Sequence, residues 1–243
     1  MKHSEGRPSP VDAQLTLDLF SATRHEFADY FAGPQAAALA ALQRWSAGAG
    51  PQVIYLWGAP ASGKSHLLQA AVRAASERGA RAMYLPLADL REAGPAILDG
   101  LDTLEAIALD DLDACAGEAS WEQRLFHLYN ALQAAGGRLL WSGARAPAAC
   151  PIVLGDLASR LAASLVFQLR ELDDADKAAA LVALARQRGL ELPDAVLEFI
   201  LRRERRDMAA LVALLDRLDS ASLQRHRALT VPFVREVLER RGC

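Results

Sequence analysis

The sequence predicts an α/β fold: a five-stranded, mostly parallel sheet covered by helices on both faces, followed by a small all-helical domain. Three observations predict it. Five apolar runs of strand length alternate with helix-patterned segments, a glycine-bearing loop joins the first run directly to a helix, and from Asp173 onward only helical patterns follow. With 243 residues, 52% of them hydrophobic and 23% charged, the chain can bury a core of that size.

The elements follow in order. Residues 1–24 read as a polar, proline-bearing flexible tail interrupted by the apolar stretch AQLTLDLF at 13–20. By itself that stretch is either a stray strand tucked onto the domain or a docking peptide. Next, RHEFADYFAG brings Phe27, Tyr30 and Phe31 before the alanine-rich helix PQAAALAALQRWSAG. The first strand, PQVIYLWG, runs into a helix in which Leu67, Leu68, Ala71 and Val72 recur at helical spacing. A strand RAMYLPL, a helical segment ADLREAGPAILDGL, a strand AIALDDL and a helix WEQRLFHLYNALQAAGG come next. The strand RLLWSGA, a short helix around LGDLASRL and the run SLVFQLREL complete the sheet. Four helical segments then start at Asp, Pro or Thr, residues that favour helix N-termini. The expected division is a tail at 1–24, a base at 25–170 and a helical domain at 171–243.

Composition excludes several classes. Lys and Arg total 27 against 30 Asp and Glu, so the net charge of -3 supplies no global field for nucleic acid. The basic run RRERR (202–206) reads as a solvated helix end or as a local contact to DNA phosphates. Cys115, Cys150 and Cys243 have no CxxC spacing, so neither a disulfide framework nor a zinc site is expected. No apolar run approaches the roughly 18 to 20 residues that cross a bilayer, and the start lacks a secretory apolar region. A cytoplasmic protein without membrane contact is the expectation.

The strongest motif is GAPASGKS (58–65), which matches G-x-x-x-x-G-K-[ST] between a strand and a helix. Gly58 and Gly63 let the backbone turn its N–H groups toward phosphate oxygens at the positive end of the following helix. Lys64 is expected to reach the β- and γ-phosphates, and Ser65 to join a Mg²⁺ shell. ATP or ADP with Mg²⁺ is the implied cofactor. The apolar strand AIAL then ends in Asp110 and Asp111. A carboxylate there can hold Mg²⁺ through water and its neighbour can orient an attacking water, so Asp110 is assigned to metal and Asp111 to water.

The tail motif, the GxxxxGKSHLL loop, the apolar-DD strand, RLLWSGAR followed by Pro147, DLASRL and LTVPFVREVL together resemble AAA+ ATPases of the DnaA type, over nearly the whole chain. The resemblance implies an AAA+ P-loop base with a helical lid. It assigns Arg160 in DLASRL as an arginine finger that acts in a neighbour's nucleotide site, and it adds His66 to nucleotide binding. It also reads QLTLDLF as a clamp-binding peptide, with Gln14 at the pocket edge and Leu15, Leu17, Leu19 and Phe20 as apolar contacts. The implied partners are the β sliding clamp of DNA polymerase III, the initiator DnaA, DNA indirectly through the clamp, and a second copy of the chain. Because the chain ends at Cys243 after the lid, an initiator that reads origin DNA through a further C-terminal domain is disfavoured.

Two positions depart from the pattern. Ala144 stands where the DnaA type has an acid before Arg145, and Ala209 stands where it has a nucleotide-sensing arginine. Arg206, one helical turn earlier, is the expected substitute. Both departures weaken self-hydrolysis and leave phosphate binding intact. The expected function is therefore negative regulation of replication initiation, by stimulating hydrolysis of initiator-bound ATP. The alternatives are a stand-alone P-loop ATPase or kinase, and a recruitment adaptor that promotes no hydrolysis.

Overall fold

The computed structural model describes residues 25–203, 208–225 and 227–239. The chain enters through short 3₁₀ turns at Phe27–Asp29 and Gly33–Gln35. Then come α1 (Ala36–Ser46), β1 (Val53–Trp57), α2 (Lys64–Glu77), β2 (Ala82–Pro86) and α3 (Leu87–Leu90). They are followed by β3 (Ala106–Asp110), α4 (Ala119–Ala134), β4 (Arg138–Gly143), α5 (Gly155–Ala162) and β5 (Leu165–Gln168). The lid is made of α6 (Asp174–Gln187), α7 (Asp194–Arg203), α8 (Met208–Arg225) and α9 (Val231–Glu239).

The five strands pair in the order β2-β3-β4-β1-β5, and every pairing is parallel. Alternation along each strand sends side chains to opposite faces. Ile54, Leu56, Ala108 and Leu140 face α1 and α2 with Leu42, Trp45, Leu67 and Leu68, while Tyr55, Ile107, Leu109, Leu139 and Trp141 face α4 and α5 with Trp121, Leu125, Leu157 and Leu161. Both faces are therefore covered, as buried parallel strands require. The lid closes around Leu181, Ile200, Leu218 and Phe233. Asp173 starts α6 by accepting the Asp176 N–H at 2.8 Å, and Thr230 precedes α9 in the same role, with its hydroxyl 3.4 Å from the Phe233 nitrogen.

One expected element is different. The segment ADLREAGPAILDGL is not a continuous helix: α3 stops at Leu90, and 3₁₀ turns follow at Arg91–Ala93, Pro95–Leu98 and Leu101–Thr103. Gly94 and Gly100 hold φ of +83° and +80°, and Pro95 lacks the N–H that a continuing helix needs.

Candidate functional site

The C-terminal ends of β1, β4 and β3 lie side by side, and the loop after β1 opens there. Its glycines are demanded by geometry. A Cβ on Gly58 would stand 2.2 Å from the Leu169 carbonyl oxygen, and Gly63 takes φ +92° with Tyr30 packed where its side chain would be. Lys64, buried at the start of α2, donates to the carbonyls of Gly58 (2.9 Å) and Ala59 (3.1 Å), so the loop wraps its own ammonium group. The Ser62 hydroxyl, in the same loop, is buried without a partner among the described residues.

Asp110 is buried at the end of β3, and Asp111 is exposed beside it in a left-handed conformation, φ +57°. The Tyr84 hydroxyl donates to Asp110 at 2.6 Å, Ser142 donates to its other oxygen, and the Asp111 amide donates back to Ser142 at 2.9 Å. Ser65, at the start of α2, and Asp110, at the end of β3, lie at the same end of the sheet. Oxygen ligands of this kind suit a hard divalent cation whose remaining ligands are water and phosphate. Among the described residues, no cluster of three or more His, Cys, Asp or Glu forms an all-protein metal cage. Partial desolvation, followed by the Asp110 charge, raises the Asp111 carboxyl above its ordinary value, and Lys64 opposes the shift. Desolvation likewise raises the Tyr84 phenol, and Asp110 adds to it.

The loop forms one wall of a cleft of about 370 Å³. Tyr30 and Phe31 line it from the entry segment, and Leu172, Met208 and Val212 line it from the lid side. Of the entry aromatics, Tyr30 and Phe27 pack on the α1–α2 core, and Tyr30 also faces the cleft. Two cleft cations come from α6 and its end, Lys177 and Arg188. Lys177, 5% exposed, pairs with Glu171 at 3.0 Å, and Arg188 pairs with Asp216 of α8 at 2.8 Å and lies 3.9 Å from Asp29. No motif singles out either cation, because only the folding of the lid against the loop brings them there.

His66 lines the same cleft, but its ring nitrogens are taken by the protein. Nε2 lies 3.0 Å from the Glu26 carbonyl and Nδ1 lies 3.0 Å from Nδ1 of His25. A carbonyl only accepts, so Nε2 carries the proton of neutral His66 and His25 donates to its Nδ1. Burial lowers both imidazoles below their ordinary value; at His66 the Glu26 carbonyl opposes the shift and the neighbouring His25 adds to it.

Gly58, Gly63, Lys64, Ser65, Asp110 and Asp111 thus gather at one strand edge, and His66 adjoins them. Arg160 does not join them. It is exposed on α5, on the sheet face opposite α2, with its guanidinium carbon 5.7 Å from the centre of the Tyr129 ring. Gln14, Leu15, Leu17, Leu19, Phe20 and Arg206 lie outside the described residues. At the first departure, the Asp113 carboxylate accepts the Ala144 N–H at 2.5 Å, so an acid from the turn after β3 stands beside the residue where the resemblance expects one. Among the described residues no helix is long and apolar enough to cross a membrane.

Comparison with known proteins places this arrangement. Residues 22–168 match the family model for the bacterial DnaA ATPase domain, and residues 174–238 match the model for the Hda lid domain. Among solved structures, AMPPCP-bound DnaA from Aquifex aeolicus is similar at 20% identity and a TM-score of 0.68, over 79% of this chain and 64% of that one. The present chain therefore spans less than two thirds of that protein. Domain III of the Thermotoga maritima DnaA matches at 20% identity and a TM-score of 0.68, over 88% of this chain and 95% of that one. RuvB of Thermotoga maritima matches at 17% and 0.57, over 89% and 72%. These likenesses establish the AAA+ fold.

Proposed function

Because the chain belongs to the bacterial DnaA ATPase-domain family, we propose that it is a nucleotide-holding regulator that promotes hydrolysis of ATP on a DnaA initiator while docked to the DNA-loaded β clamp. One observation carries the reading: Arg160 is exposed on α5, which covers the sheet face opposite α2, and it is not among the residues that line the cleft. An arginine so placed cannot serve its own cleft, and it is free to enter another molecule's.

In this reading the chain's own residues hold ATP or ADP. The loop N–H groups and Ser62 bind phosphate oxygens, and Lys64 exchanges its two carbonyl partners for them. Ser65 and Asp110 would hold Mg²⁺, which would neutralise charge on the phosphates. Ala144 and Ala209 weaken turnover in this site, so the nucleotide acts as a structural element. At the partner's site, water adds to the γ-phosphorus, the bond to the β–γ bridging oxygen breaks, and the Arg160 guanidinium neutralises charge on the transferring oxygens. Arginines supplied in trans contribute about 10³–10⁵ in rate. Gln14, Leu17, Leu19 and Phe20 anchor the tail in the clamp, each apolar anchor contributing about 1–3 kcal/mol.

The test combines clamp, DNA and ATP-loaded initiator. Arg160→Ala is expected to abolish stimulated hydrolysis without changing nucleotide affinity, and full stimulation by that variant would overturn the mechanism. Clamp capture by a variant with Ala at 14, 19 and 20 checks the tail in the same way. The paired Asp110 and Asp111 favour a second reading, a stand-alone ATPase, and turnover of about 1 per second or more by the isolated chain would establish it.

A further inference from the structure

We propose that Glu122 and Tyr129 of α4 are positioning residues for Arg160, an inference that rests on Arg160 acting in trans. Glu122 is fully buried, at 0% exposure. A carboxylate in that position is costly unless donors satisfy it. Three backbone N–H groups do so: Gly117 at 2.7 Å, Val153 at 3.0 Å and Leu154 at 2.7 Å. Val153 and Leu154 immediately precede α5, the helix that carries Arg160.

What these bonds hold is informative. The Val153 side chain is 66% exposed, so its backbone is fixed by the carboxylate rather than by burial of its own apolar group. Leu157 and Leu161 attach α5 to the core, but apolar contact is non-directional and allows a short helix to slide or roll. Charge-assisted hydrogen bonds have direction, and they fix where α5 begins.

The second fixture lies two turns further along the same helix. Tyr129 is seven residues after Glu122, hence on the same face of α4, and its ring lies under the Arg160 guanidinium at 5.7 Å. One helix therefore holds both ends of the arrangement: Glu122 fixes the entry to α5, and Tyr129 supports the exposed cation. Neither residue lines the nucleotide cleft. Glu122 can thus be buried for the sake of another residue's placement, where an apolar residue would fill the space without setting a register.

The experiment uses the full chain with DNA-loaded clamp and ATP-loaded initiator. It measures the maximal stimulated hydrolysis rate and the half-saturating concentration separately. Amide exchange at Val153 and Leu154, nucleotide affinity and melting temperature are followed alongside. Glu122→Gln, which presents an NH₂ to backbone donors, is expected to speed exchange at Val153 and Leu154 and lower the maximal rate roughly 10- to 100-fold, the scale of an ångström-level misplacement. Tyr129→Leu is expected to lower that rate about 3- to 10-fold with half-saturation unchanged, and Tyr129→Phe, which keeps the ring face, to restore it. Nucleotide affinity should stay at the wild-type value in all three. If Arg160→Ala abolishes stimulation while folded Tyr129→Leu and Glu122→Gln retain the full rate, the positioning role is wrong and the trans arginine stands. If Arg160→Ala itself retains stimulation, both fall.

Discussion

His66 follows the Lys-Ser of the loop, and its imidazole is enclosed by His25, Tyr30 and the Glu26 carbonyl. Both histidines bind protons less readily in the fold than in the unfolded chain, chiefly through burial, although Asp29 favours their charged forms. The unfolded chain therefore takes up protons first as pH falls through about 6.5. The sign follows: the neutral pair contributes fully above that pH, and its contribution is lost progressively below it. A second proton on His66 also sets N–H against N–H at the 3.0 Å contact with His25. The melting temperature should fall between about pH 7 and pH 5.5, and His66→Gln should flatten that slope. An identical slope in wild type and variant would count against the pair as its source.

At the scale of elements, the end of α6 joins parts that the sequence leaves separate. Arg188 ties α8 through Asp216 and approaches the entry segment at Asp29, beside the cleft. Since both carboxylates are substantially solvated, Arg188→Ala should cost no more than about 1 kcal/mol of stability. Its larger effect is expected on the cleft, as a several-fold faster release of a fluorescent nucleotide in stopped-flow measurements, and an unchanged release rate would remove Arg188 from the lid contact. This tie also shows what was legible in the sequence. The five strands and α2 could be read because parallel buried strands leave continuous apolar runs and the loop leaves a spaced motif. The turns between Arg91 and Thr103 are not legible in the same way, since apolar spacing there suggests a helix that Gly94, Pro95 and Gly100 break. Arg188, Tyr84 and Glu122 leave no sequence signal, because each gains its role from partners distant in the chain, and Lys177 reaches the cleft only through the fold. Tyr84 meets Asp110 from the neighbouring strand, and Glu122 meets Val153 across the whole of α4 and β4.

For the whole molecule, the base and the lid contribute opposite walls of one cleft. A nucleotide held there adds its binding free energy to the stability of both, so melting should depend on its concentration. At about one hundred times the dissociation constant the gain is about 2.7 kcal/mol. Thermal melts with and without ADP or ATP should show the rise in wild type, while Lys64→Ala, which removes the ammonium group buried in the loop, should show none. A wild-type melt insensitive to nucleotide would refute the cleft as its site.

The exposure of Arg160 on α5, outside the cleft between base and lid, gives the molecule two unlike surfaces. A two-fold symmetric pair would set each surface against itself, so an arginine could not meet a cleft on the symmetry axis. Contacts that match unlike surfaces run head to tail, and they leave one of each unsatisfied unless a ring closes. A copy that offered its arginine forward would keep its own cleft behind, and any row built on that contact would have a front and a back.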